Sequence, residues 1–169
     1  MRRRSRTCCA AGRPSARSGR WRPSGTGDGW RTLTYGAAAE AAAALGQAYL
    51  DRGCGPQRPV LLLSGNSLDH LLLTLAGYLT GVPLVPVSTA YSLRSTDHAR
   101  VRAISALVRP GLVYADDGDR FRAALDAAAA VAGTSPETVV SRRPRTGDVS
   151  WTRYGAPSSP APCGGPTSH

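Results

Sequence analysis

LLLTLAGYLTGVPLVPVSTAY, residues 71–91, is the most informative segment of the chain for its fold. Its first 17 residues carry no charge, but two glycines and two prolines interrupt them. The leucines recur at helical spacing as far as Leu79, and Gly81 suits a helix end. The following VPLVPVS is predicted to be a strand at a sheet edge or end, because proline cannot donate to a ladder. A membrane span needs about 20 mostly apolar residues in a row, so we predict a covered helix followed by a strand.

The residues before this stretch predict the same kind of unit. RTLTY at 31–35 favours a strand, and the alanine-rich segment after it favours a helix that ends near Gly53. PVLLLSG at 59–65 is a continuous apolar run followed by turn residues, which is typical of a strand buried on both faces. Asn66 or Ser67 is predicted to cap the helix that comes next.

Strands and helices continue to alternate along the rest of the middle. A helix is predicted over 95–108, a strand over 111–115, a helix over 119–131 and a last strand over 138–141. This rhythm favours an α/β fold with an incomplete doubly wound, mostly parallel sheet. Such sheets place their ligands at the carboxyl ends of the strands.

Charge divides the chain into three parts. The formal net charge is +10, and every basic residue is an arginine. Residues 1–27 hold eight arginines and no acid, whereas 142–169 hold four arginines and one acid. Neither end can bury much apolar surface, so we predict a disordered Arg/Ser/Gly-rich tail at 1–28, an ordered domain at 29–141 and a disordered Pro/Ser/Gly-rich tail at 142–169. An organelle presequence, a nucleic-acid arm and translation of GC-rich DNA in a wrong frame are three interpretations of the first tail, and the last is favoured.

The cysteines indicate a reducing compartment. They show no CxxC spacing, and the two adjacent ones are poorly placed to bridge each other: Cys8, Cys9, Cys54 and Cys163. The arginine-rich start also lacks the apolar segment of a secretory signal. We therefore expect a cytoplasmic protein.

Two polar segments that follow predicted strands are candidate ligand sites. Neither GxxxxGK[ST] nor GxGxxG occurs, and the nearest match is the SGNS turn at 64–67. A helix cap without a ligand is the favoured interpretation of this turn. Asp116 and Asp117 could hold a cation or a ribose, but capping of the next helix is favoured for them as well.

The three histidines show no metal-ligand spacing with one another or with the cysteines: His70, His98 and His169. His70 lies within the leucine-rich helix, where a structural role is favoured over catalysis. No Ser/His/Asp or Cys/His arrangement can be inferred from its neighbours. The sequence therefore predicts no catalytic, cofactor-binding or metal-binding residue.

Three blocks of the chain carry a family resemblance: WRTLTYGAAAEAAAALGQAYLDRG at 30–53, RPVLLLSGNSLDHLLLTLAGYLTGVPLVPVSTAYS at 58–92 and ISALVRPGLVYADDG at 104–118. LTYGAAAE resembles a first core motif, LTYxEL, with alanine in place of its glutamate, and LTGVPLVPVS resembles a second. In this order the blocks resemble the amino-terminal region of adenylate-forming acyl-CoA synthetases, more narrowly of feruloyl-CoA synthase-like members. The resemblance implies a partial AMP-binding domain at 29–141.

The resemblance implies an activity that this chain is not expected to have alone. Ligases of this family join a carboxylic acid to AMP and then transfer the acyl group to coenzyme A, using ATP, Mg²⁺ and CoA. Their phosphate loop, later nucleotide motifs and mobile C-terminal domain lie downstream of the matched region. The chain has no lysine and supplies neither of the family's catalytic lysines. We expect an inactive N-terminal fragment, from a truncated or frame-shifted reading frame, that binds no cofactor itself.

The partners expected from the sequence are few. A hydroxycinnamate-like acid is implied only for the full-length family, and we expect neither a specific nucleic acid nor a membrane partner. Two other hypotheses stay open. One is a small α/β module whose basic arms bind nucleic acid or acidic surfaces without catalysis. The other is a free-standing nucleotide binder that uses the SGNS turn.

Overall fold

The protein is built on one parallel sheet with helices on both faces. The computed structural model describes residues 20–21, 33–131 and 135–154. In chain order the elements are β1 (Arg20–Trp21), β2 (Leu33–Thr34), α1 (Tyr35–Asp51), β3 (Val60–Leu63), α2 (Leu68–Thr80), β4 (Leu84–Pro86), α3 (Thr89–Leu93), α4 (Ala99–Val108), β5 (Leu112–Asp117), α5 (Arg122–Ala129), β6 (Glu137–Arg142), β7 (Val149–Ser150) and the 3-10 helix η1 (Trp151–Tyr154). Apart from β1, which pairs antiparallel with β2, the predicted tail at 1–28 lies outside the described residues, and so do residues 155–169.

The main sheet has five strands in the order β4-β3-β5-β6-β7, and every neighbouring pair is parallel. All residues of β3 and β5 are buried, which explains why both strands are continuous apolar runs until β5 ends in aspartates. β4 lies at the edge, where a sheet tolerates Pro86. The predicted α/β fold, its mostly parallel sheet and the edge position of the proline-containing strand are confirmed.

Two apolar cores lie on opposite faces of the sheet, because successive side chains of a strand point to opposite sides. In β3, Val60 and Leu62 belong to one core, and Leu61 and Leu63 belong to the other. The first core joins the sheet to α1 and α2 and includes Leu45, Tyr49, Leu72, Leu73, Tyr114 and Trp151. The second joins the sheet to α4 and α5 and includes Val101, Val113, Phe121, Ala124 and Leu125.

Helix α2 begins after Ser67 and ends at Gly81, as its sequence predicts. Ser67 is the N-cap, and its Oγ accepts the N–H of His70 at 3.1 Å. Asp69 lies in the first turn, where the helix dipole favours a carboxylate. Gly81 ends the helix with φ 71°, a left-handed conformation that glycine adopts without strain. The predicted limits of this helix are confirmed.

The helix predicted over 95–108 begins later, at Ala99. Before it, Ser95 Oγ accepts the N–H of His98 at 3.1 Å, and the Asp97 carboxylate accepts the N–H of Ala99 at 3.1 Å. These side chains bind backbone groups that a helix would otherwise use, so the turn persists. The short helix α3 was not predicted.

The chain beyond Ser141 corrects the predicted C-terminal tail. β6 continues to Arg142, β7 adds a fifth strand, and Trp151 is only 6% exposed. The Trp151 ring packs against Tyr114 with ring centroids 5.2 Å apart. The prediction of a loose tail is therefore wrong for residues 142–154. A two-residue strand and one aromatic anchor leave no periodic pattern in the sequence, so the prediction missed them.

Candidate functional site

The carboxyl ends of β3 and β5 lie side by side at one edge of the sheet. β3 leads into α2, whose Leu72 lies in the first core, and β5 leads into α5, whose Leu125 lies in the second. The two strands are hydrogen-bonded neighbours, so their connections leave toward opposite faces of the sheet. Parallel α/β sheets bind ligands where the connections diverge in this way. This edge is therefore the candidate site.

Both serines of the SGNS turn at the end of β3 form hydrogen bonds with His70. Ser64 is 6% exposed, and its Oγ lies 2.8 Å from Nδ1 of His70. Ser67 caps α2 through the N–H of His70. Burial lowers the pKa of His70, so the ring is neutral at neutral pH. The capping interpretation is confirmed for Ser67, and His70 helps to fix the start of α2.

A polar bridge joins the first turn of α2 to the end of β6. Ser141 Oγ donates to the Asp69 carboxylate at 2.8 Å. The Tyr114 hydroxyl lies 2.8 Å from Ser141 Oγ and 3.4 Å from the same carboxylate oxygen. Burial, reinforced by the charge of Asp69, raises the pKa of Tyr114, so the phenol stays protonated. The bridge therefore holds α2 against two strands of the sheet.

The two aspartates at the end of β5 have different roles. Asp117 Oδ1 accepts the N–H groups of Asp119 and Arg120, each at 3.1 Å, and so holds the turn after β5. The N-cap of α5 is Phe121, which has no side-chain cap bond, so the predicted capping of the next helix is wrong for Asp117. Asp116 is 8% exposed, its Oδ2 lies 3.8 Å from Arg142 Nη2, and its Oδ1 has no hydrogen-bond partner among the described residues. Burial raises the pKa of Asp116, although Arg142 and Arg120 oppose this effect. The predicted capping role is wrong for Asp116.

A shallow groove lies along the same edge of the sheet. It is lined by α3 and by the turns after α3 and β5, through Thr89, Ala90, Leu93, Arg94 and Arg120. Among the described residues, neither arginine side chain forms an ion pair. The Arg120 guanidinium lies 5.7 Å from the centroid of the Phe121 ring. Two exposed guanidinium groups with no carboxylate bound to them make the groove suitable for an anion.

Sequence reasoning missed both arginines of the groove. Arg94 and Arg120 belong to no motif and lie in separate turns of the chain. Only the strand order brings those turns to one groove. One feature of the sequence could have indicated Arg120, which follows closely after the predicted strand at 111–115. Residues that follow parallel strands lie at the edge of the sheet where such folds bind ligands.

The other residues considered from the sequence add no site to the described part of the chain. No group of three His, Cys, Asp or Glu residues there could hold a metal ion. Cys54 is a buried free thiol whose pKa is raised by burial. The other three cysteines, His169 and most of both basic arms lie outside the described residues. Within residues 33–131 and 135–154, no helix combines the length and apolar character required to span a bilayer.

The parallel sheet, covered by helices on both faces and with a groove lined by two arginines at its carboxyl edge, defines an α/β protein. The chain belongs to the AMP-binding enzyme family, which matches residues 10–159. No curated protein matches the sequence. Membership in this family confirms the broader part of the resemblance, to adenylate-forming enzymes.

Solved structures share the fold of this chain. Acyl-CoA synthetase from Brucella canis has a TM-score of 0.66 and 17% identity, over 87% of this chain and 26% of that one. ATP-bound MatB from Rhodopseudomonas palustris has a TM-score of 0.55 and 24% identity, over 76% of this chain and 23% of that one. A luciferase-like enzyme from the nonluminescent mealworm Zophobas morio has a TM-score of 0.58 and 17% identity, over 75% of this chain and 29% of that one. The shared fold is that of the N-terminal subdomain of adenylate-forming enzymes, and this chain spans under a third of each of these proteins.

Proposed function

We propose that the chain is an N-terminal portion of an ATP-dependent acid–CoA ligase of feruloyl-CoA synthase-like type, located in the cytoplasm. The family match and the order of the two core motifs support this proposal. LTYGAAAE at 33–40 starts α1, and LTGVPLVPVS at 79–88 ends α2 and forms β4. The proposed substrate of the whole enzyme is a hydroxycinnamate-like carboxylic acid, and its cofactors are ATP, Mg²⁺ and CoA. No specific nucleic-acid or membrane partner is part of the proposal.

In contrast to the expectation from the sequence, we propose that this chain itself binds an anionic cofactor, and the Arg94–Arg120 groove is the observation that supports this proposal. Both ATP and CoA carry several phosphate oxygens, which guanidinium groups bind with charge-assisted hydrogen bonds. The groove lies at the edge of the sheet where this class of fold binds its ligands. CoA is the first ligand to test.

We further propose that the chain does not form the acyl-adenylate by itself. In that reaction a carboxylate attacks the α-phosphorus of ATP and pyrophosphate leaves. Such a step depends on preorganised positive charge around the phosphate oxygens, which a glycine-rich loop and a lysine supply in nucleotide-binding proteins. The sequence contains neither such a motif nor any lysine. Binding and chemistry are therefore separable in this protein.

The groove is tested by titrating CoA into the purified chain at low ionic strength. Replacing Arg94 and Arg120 together by glutamine should weaken binding about tenfold, because each exposed cation contributes up to about 1 kcal/mol. Arg153→Gln is the matched control, since Arg153 is exposed in η1 and does not line the groove. An unchanged Kd in the double variant, or an equal loss in the control, would remove the groove from the proposal.

A further inference from the structure

We infer that Asp117 is a positioning residue for anion binding, holding Arg120 in place at the groove. This inference rests on the proposed binding of an anionic cofactor there. Asp117 holds the turn that carries the Arg120 guanidinium group, and it does not itself contact the ligand.

Asp117 holds the backbone of the turn that carries Arg120. Its side chain is buried, and one carboxylate oxygen accepts two successive N–H groups, from Asp119 and Arg120, at 3.1 Å each. The other oxygen accepts from Arg143, through Nη2 and through Nε at 3.2 Å. Burial opposes ionisation, but the hydrogen bonds from Arg143 and from the backbone outweigh it and lower the pKa of Asp117. The carboxylate is therefore charged at neutral pH.

The turn is also attached to the neighbouring strand. Gly118 donates its N–H to the carbonyl oxygen of Arg142 at 2.9 Å, and it packs against the carbonyl oxygen of Arg143. On the other side, the Arg120 guanidinium lies over the ring of Phe121, which is fully buried in the second core. Both the backbone and the side chain of Arg120 are thus supported before any ligand binds, which reduces the entropy lost on binding.

The negative charge of Asp117 distinguishes its role from that of the serines that cap helices in this chain. Serine is sufficient as a cap elsewhere in the chain, at Ser67 and Ser88. Asp117 adds a buried negative charge, which Arg143 neutralises from the β6 side. Because Arg143 pairs with this carboxylate, Asp117 forms no salt bridge with the Arg120 guanidinium, whose charge acts on the nearby Asp116 and is exposed to the groove.

The inference is tested with a double-mutant cycle on the full chain, using CoA as the probe. Asp117→Ala should weaken CoA binding about fivefold, because Arg120 loses its fixed position. In the Arg120→Gln background the same substitution should leave the Kd unchanged. A general structural effect would instead weaken binding by the same factor in both backgrounds, and that result would overturn the inference.

Two further variants keep the test decisive if Asp117→Ala unfolds. Asp117→Asn retains an oxygen that accepts both N–H groups, so it should keep the affinity within about twofold while lowering the melting temperature. Asp126→Ala removes another ion-paired aspartate outside the groove. It should leave the Kd for CoA unchanged in both the wild-type and the Arg120→Gln backgrounds. Weakened binding in Asp117→Asn equal to that of Arg120→Gln would contradict the positioning role.

A second readout distinguishes failure of this inference from failure of the proposed function. If the wild-type chain does not bind CoA, the proposed function loses its support, and NMR relaxation of the Arg120 Nε–H decides the positioning role. Restricted motion in the wild type that becomes free in Asp117→Ala, but not in Asp126→Ala, supports the inference. Equal mobility in all three proteins overturns it.

Discussion

At the scale of single residues, Asp116 is the group whose placement is least favourable. Its carboxylate is buried, and one of its oxygens has no hydrogen-bond partner among the described residues. Burial raises its pKa, so the folded protein binds a proton at this site more readily than the unfolded chain does. The contribution of Asp116 to stability is therefore fully present below its unfolded pKa and is lost as the pH rises through its folded pKa.

Asp116→Asn should stabilise the protein at neutral pH by about 1 kcal/mol, because it removes a buried and poorly paired charge. The advantage should shrink in acid, where the wild-type carboxyl is itself neutral. Urea unfolding at several pH values measures this difference. Asp51→Asn, on the exposed face of α1, should show no comparable trend. A destabilised Asp116→Asn protein at neutral pH would contradict this account.

Asp116 and Asp117 also show how far sequence reasoning extends at this scale. The sequence predicts that aspartates after this strand cap the next helix, but Asp117 instead holds the turn that precedes α5. Alternation of side chains sends the preceding residue to the other face of the strand, where its surroundings depend on distant residues such as Arg142. The role of Asp116 was therefore not readable from its neighbours.

At the scale of elements, the turn between β5 and α5 depends on close contact at Gly118. A methyl group there would collide with the backbone oxygen of Arg143 and would approach Val140 Cγ1 to 3.4 Å. Gly118→Ala should lower stability by about 2 kcal/mol, since the turn must shift away from β6. Thermal or urea unfolding measures the loss.

Gly36→Ala is the matched control for Gly118→Ala. Gly36 lies in α1, and no atom lies within 4 Å of the added methyl group. This variant should gain about 0.5 kcal/mol, because alanine is the better helix former. Equal effects of the two substitutions would contradict the packing of the turn.

Elements with strong periodicity were predictable from the sequence, and short elements held by tertiary contacts were not. α2 and β3 have continuous leucine patterns with a serine cap and a terminal glycine, so local signals suffice. β7 has two residues, and it is joined to the core by Trp151. A single aromatic residue in a segment rich in proline and serine gives no local sign of burial, because its partner Tyr114 is distant in sequence.

At the scale of the whole molecule, apolar surface is exposed along the edge formed by α2 and β4. Tyr78 is 78% exposed and Leu79 is 64% exposed. Next to them, Leu84 and Pro86 line a second shallow groove along the edge strand. Such a surface, beside the edge strand of the described sheet, favours association between molecules.

We expect the purified chain to self-associate as its concentration rises. Replacing Tyr78 and Leu79 together by serine should reduce association without lowering the melting temperature, because both side chains are already exposed. Leu107→Ser is the control, since Leu107 is 83% exposed on α4, away from this edge. Sedimentation velocity over a range of concentrations measures the effect. A wild-type chain that stays monomeric throughout would contradict the prediction.

The candidate site, like this surface, is a property of the whole molecule. The fold class and the ligand-binding edge could be predicted, because the alternation of strands and helices determines which strand ends meet. The groove could not, since the strand order that unites Arg94 and Arg120 is fixed by packing of both cores.

Thioester formation by the purified chain, assayed with ATP, Mg²⁺, CoA and ferulate, tests the separation of binding from chemistry. We expect no feruloyl-CoA above a no-protein control, even at concentrations where CoA occupies the groove, because the chain lacks a lysine and a phosphate-binding loop. ATP-dependent feruloyl-CoA formation by this chain alone would show that binding and chemistry are not separated.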